Sequence, residues 1–102
     1  MPEVQPAAPS IVSDATLVER VGQNDSGALL ELERRHRGSL YAQAYAILMD
    51  STSAERVVHD VFAQLRYAAA HFVGPRPWSW LRDMTTEFAR AERALRKTSP
   101  RR

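Results

Sequence analysis

The sequence contains no cysteine in its 102 residues. That excludes a disulfide framework and any thiolate metal site, and it fits a reducing compartment. Long apolar runs are missing too. Nothing approaches the length of a signal peptide or membrane span, and the chain opens Met-Pro-Glu-Val, with an acid. The expectation is a soluble cytoplasmic protein with no membrane partner. There is no glycine-rich phosphate loop, nucleophile elbow, kinase signature or zinc motif. Ser and Thr cluster at caps and turns, where capping accounts for them. Glu55 and His59 lie four apart on one helix, but no second Glu/His helix completes a metal site. No enzyme, metal or cofactor is expected.

What is present is one small domain's worth of chain, enough for a modest core of packed helices. The net charge of +2 conceals an asymmetry. From Arg76 to Arg102 there are eight Lys/Arg against three Asp/Glu, whereas the first 75 residues hold six against nine. A basic C-terminal quarter on a mildly acidic body points either to an anionic partner or to a solvated tail.

In chain order, residues 1–12 carry three prolines and no periodicity, the pattern of a disordered tail. Ser13 or Asp14 can cap a short helix with Leu17, Val18 and Val21 on one side. Asn24 and its neighbours form a turn, and Asp25 or Ser26 can cap a long helix over residues 27–49. In that helix Leu29, Leu32, His36, Leu40, Ala44 and Ile47 or Leu48 recur at spacings of three and four. Gly38 interrupts it at about 1 kcal/mol relative to alanine. His36 lies on the core-facing stripe and reads as a partly buried structural residue.

The stretch 52–72 is the most strongly patterned. Ala54, Val57, Val58, Val61, Phe62, Leu65, Ala68, Ala69 and Phe72 form a buried stripe. Glu55, Arg56, His59, Asp60, Ala63, Gln64 and Arg66 lie opposite. Thr52 with Glu55 has the form of a capping box. Val73-Gly74-Pro75-Arg76-Pro77 then breaks the chain, and Pro77 suits the first turn of a last helix. Its expected buried stripe is Leu81, Met84, Phe88, Ala91 and Leu95. At 100° per residue, Arg82, Thr86, Arg90, Arg93 and Lys97 share a basic face within about 80° of arc. Without any strand alternation, the fold class is all-α: a small bundle of three to four helices over residues 13–97, with a basic tail at 98–102.

These pieces, in this order, resemble region 2 of a bacterial sigma factor of the extracytoplasmic-function type. The resemblance runs from about Asp14 to Arg96. It is carried by Asp14…Leu17-Val18, Asn24-Asp25…Ala28-Leu29, Leu40-Tyr41…Ala44, Ala54-Glu55…Val57-Val58…Asp60-Val61-Phe62, and Pro77…Trp80-Leu81. The family writes the corresponding pieces D-x-x-LV, GD-x-x-AF, LY-x-x-A, AEDVVQEVF and W-L. Each is short and mostly apolar, so the signal lies in their joint order.

The resemblance implies binding of core RNA polymerase at its clamp helices through Glu55, Asp60 and Gln64, with Arg56 and His59 at neighbouring positions. It implies contact with the non-template strand of the promoter −10 element through Arg76, Trp78, Arg82, Thr86, Arg90, Arg93 and Lys97. An anti-sigma factor is a further partner that it allows. Trp78 can be a stacking platform or a packing residue, and Trp80 is expected in the core.

The departures are specific. Arg56 stands where the family has Asp, His59 where it has Gln, and Arg66 where it often has Trp. Thr86-Glu87 replaces Arg-Asn, and Ala91 replaces Asp. The second helical domain that usually follows and reads the −35 element is not in this sequence. The alternative expectation is a sigma-like interaction protein that binds a regulator without opening DNA.

Overall fold

The computed structural model describes residues 12–72 and 76–98, with side chains through residue 96. Of the expected tails over 1–12 and 98–102, residues 1–11 and 99–102 lie outside that description, as do the centre of the 73–77 loop and the Lys97 side chain. Val12 packs against the core and Thr98 still belongs to the last helix, so the domain extends one residue further at each end than expected. The described residues are helical apart from short connections: α1 (Asp14–Gly22), α2 (Ser26–Leu48), α3 (Ser51–Ala68), a 3-10 turn (Ala69–His71) and α4 (Pro77–Thr98).

Each of the first three helices starts on a side chain that accepts from an otherwise orphaned backbone N–H. Ser13 Oγ accepts from Thr16 N–H at 3.1 Å, and Asp25 Oδ1 accepts from Ala28 N–H at 3.1 Å. For α3 the cap is Asp50, whose Oδ2 accepts from Ser53 N–H at 2.8 Å. The expected Thr52 capping box is therefore replaced. The helix already starts at Ser51, so Thr52 sits inside the first turn, where it cannot cap. The turn before it closes on Met49, left-handed at φ 55° and ψ 33°, whose N–H donates to Tyr45 O at 2.7 Å. Two residues thus reverse the chain and set α2 and α3 antiparallel.

The packing explains why α2 is the centre of the bundle. Its buried residues, Ala28, Leu32, Leu40, Ala44 and Leu48, lie at multiples of four along the helix. A four-residue step overshoots one turn by about 40°, so the buried line winds around the helix. α1, α3 and α4 cover successive parts of it. α3 keeps a fixed face instead: Ala54, Val57, Val58, Val61, Phe62 and Leu65 are buried on one side. This is the stripe read from sequence, and burial in the bundle holds its β-branched run helical.

α4 departs from expectation. Leu81, Met84, Thr85 and Ala89 are buried, Phe88 is half-buried, and Ala91 and Leu95 are exposed. The inward row advances by fours through Leu81, Thr85 and Ala89, which turns Ala91 outward. Glu92 lies level with Arg56 near the start of α3, and Leu95, three residues on, is 67% exposed. Thr85 can join the buried row because its hydroxyl donates to Leu81 O at 2.9 Å.

Two contacts staple the ends. Phe72, just past the 3-10 turn, stacks on Trp80 with ring centroids 4.7 Å apart. Gly22 lets α1 approach that turn closely, since a Cβ there would lie 3.0 Å from Ala70 Cα. Among the described residues no helix is long and apolar enough to cross a membrane, and no cluster of three His, Cys, Asp or Glu could hold a metal ion.

Candidate interaction faces on α3 and α4

The outward face of α3 is set by its helical phase. With the apolar residues turned inward, Glu55, Arg56, His59, Asp60, Ala63 and Gln64 are all exposed. Among the described residues, Glu55 and Gln64 make no side-chain hydrogen bond or ion pair, and Asp60 pairs with its neighbour His59 alone, at 3.6 Å. Arg56 differs. Its Nη1 reaches across to Glu92 of α4 at 3.2 Å, drawing its charge away from the α3 face and onto the α3–α4 seam. The residue expected to reverse the sign of this face is thus paired within the chain. What remains for a partner is Glu55, His59, Asp60 and Gln64.

On α4 the structure separates the expected basic residues into two sets. Arg82, Arg90 and Arg93 are exposed, as is Arg76 just before the helix. Thr86 is half-buried, and Gln43 of α2 binds it: Gln43 Nε2 donates to Thr86 Oγ1 at 2.6 Å and to Arg82 O at 2.7 Å. The hydroxyl placed on the basic face by helical phase is therefore part of the α2–α4 joint. Glu87 is exposed on the same helix.

Trp78 is half-buried and has a definite partner. Its ring stacks on His36 at 4.6 Å with an interplanar angle of 22°, and Arg82 Cζ lies 5.9 Å from its centroid. His36 in turn places Nε2 2.8 Å from Asp14 Oδ2, while Arg35 Nη1 donates to Asp14 Oδ1 at 2.9 Å. Asp14, His36, Trp78 and Arg82 form a column joining α1, α2 and α4. His36 is the structural residue expected from its position, with a side chain only 15% exposed. The sequence signalled that burial but not the column, because its members are far apart in the chain and only the folded packing aligns them. Trp80, assigned to packing, does pack, on Phe72.

Further out on α2, Glu31 accepts from Arg34 and Arg35 at 2.6–3.0 Å. Those hydrogen bonds, from Arg34 first and Arg35 second, lower its carboxyl from 4.5 to about 2. The Asp50 carboxyl is lowered chiefly by the hydrogen bond from the Ser53 backbone N–H, with the Ser53 side chain adding to it. Both groups support helices rather than line a site. The described surface thus presents a polar α3 face of mixed sign and an arginine edge beside a half-covered indole. No protein-family model matches the chain, and neither a curated protein nor a solved structure matches it.

Proposed function

We propose that the chain is a sigma factor region 2-like domain that binds core RNA polymerase and takes part in recognition and melting of the promoter −10 element. The observation that carries this reading is the coexistence of two separate outward faces with little internal work to do. Glu55, Asp60 and Gln64 contribute almost nothing to holding the bundle together, yet they stand side by side on its most strongly patterned helix. Arg82, Arg90 and Arg93 stand exposed on another helix, next to Trp78. Cations beside an aromatic ring suit phosphate contact and base stacking on a single strand. The order of sequence pieces described above supplies the partner's identity.

A second reading, a sigma-like interaction protein that does not open DNA, draws on three other observations. Trp78 and Trp80 are both engaged in intramolecular stacks, Thr86 is engaged by Gln43, and Glu87 places an acid where phosphates would pass. Single-stranded DNA binding measured against salt separates the two. Contact with about four phosphates predicts a log–log slope of roughly −3. A flat response removes the DNA arm and leaves the second reading. Asp60→Arg tests the polymerase arm, since it inverts charge at an exposed position without touching the core.

A further inference from the structure

The second half of α2 and its C-cap carry no charged residue from Gly38 to Met49, yet only one side of this stretch is buried, through Leu40, Ala44 and Leu48. Gly38, Ala42, Tyr45, Ala46 and Met49 all face solvent. A helix surface that meets only water is ordinarily polar or charged, and this one is bare for about 18 Å, three turns. Gly38 is unexplained from within: a Cβ there would meet nothing within 4 Å, so the fold does not require the glycine. It borders a cleft of about 230 Å³ shared with Arg37, Tyr41, Glu55 and Val58. At the other end of the same surface stand two projections. Tyr45 is 39% exposed, with its ring 6.0 Å from that of Tyr41, and Met49 is 70% exposed.

We propose that this face pairs with the same face of a second copy of the chain, antiparallel, about a two-fold axis at Ala42. The surface is self-complementary in shape, with a hollow at one end and projections at the other, as an isologous contact requires. A crossing at Ala42 sets Ala46 against Gly38 of the second copy, and Tyr45 against Ser39, beside its cleft. The charges agree. The last turn of α2 has no basic residue at its carbonyl end, although Asp50, which follows it, caps α3 and has Arg96 and Arg56 of its own chain nearby. In this register that end meets Arg34 of the second copy, a side chain 72% exposed even while it holds Glu31. Three turns per helix make a small interface, so the dimer is of the weak, micromolar kind. His59, Asp60 and Gln64 lie outside it, but Glu55 lines the cleft, so the dimer and polymerase docking would compete at that residue; the test below needs no polymerase.

Sedimentation equilibrium of the whole chain from about 1 to about 500 µM tests it. The expected result is a monomer–dimer equilibrium. Gly38→Leu, which fills the cleft, and Tyr45→Ser, which removes the projection, should each raise the dissociation constant about tenfold or more, with helicity by circular dichroism unchanged. Should Gly38→Leu lose helicity, Tyr45→Ser decides alone. A monomer throughout leaves the face to some other partner and overturns the proposal, as does a dimer that Tyr45→Ser leaves intact.

Discussion

At the scale of single residues, the informative groups are the ones whose charge the fold has fixed. Glu31 lies well below the ordinary carboxyl range because Arg34 and Arg35 donate to it. A carboxyl lowered by folding stabilises the native state above its unfolded pKa, near 4.5, and the contribution is lost as pH falls toward about 2. Asp50, also lowered, acts in the same direction. Thermal unfolding followed from neutral pH into this acid range should therefore show a falling melting temperature. Glu31→Gln should be less stable at neutral pH and show a shallower acid decline; an unchanged acid profile would mean the pairing adds no stability. His36 was readable from spacing because a core-facing position constrains it even without knowledge of its partners. Asp14 and Trp78 were not readable as those partners: periodicity assigns a face, not the residue across from it.

At the scale of elements, two helical glycines have opposite meanings. Gly22→Ala would push a methyl against the Ala70 backbone, and Gly38→Ala would enter open space. The first should cost about 1–3 kcal/mol by overpacking. The second should stabilise by about 0.4–1 kcal/mol, measured by denaturant unfolding at low protein concentration. If Gly22→Ala were neutral or stabilising, the close approach of α1 to the 3-10 turn would be refuted. Leu65, fully buried on α3, should cost about 2–5 kcal/mol on truncation to alanine.

The helices themselves were largely legible, because Ser13, Asp25 and Pro77 announce their starts and apolar spacing marks their course. Two features were not. Thr52 looked like a cap because Thr-x-x-Glu has the right form, but Asp50 caps two residues earlier. On α4 the spacing Met84–Phe88–Ala91–Leu95 fits a stripe as well as the true row does. The true row contains Thr85, a polar residue whose burial depends on a hydroxyl bond to Leu81 that composition does not reveal.

At the scale of the whole molecule, a central helix wrapped by three others leaves two distinct exposed surfaces, on α3 and on α4. The polar α3 face was legible almost residue by residue, since amphipathic phase alone sets it. The exception is Arg56, whose pairing with Glu92 depends on α4 crossing beside α3. The α4 edge was legible in its arginines but not in the internal use of Thr86 and Trp78. Because Arg56 is paired with Glu92 across the α3–α4 seam, Arg56→Ala should leave polymerase binding within about threefold of wild type, a surface-scale effect. A loss comparable to that of Asp60→Arg would place Arg56 in the contact itself. The most direct test of the account is retention of the purified chain on core RNA polymerase, wild type beside Asp60→Arg, with circular dichroism confirming equal helicity. The account predicts that the wild type is retained and Asp60→Arg is not. Failure of the wild type to bind, or equal retention of both proteins, would contradict it.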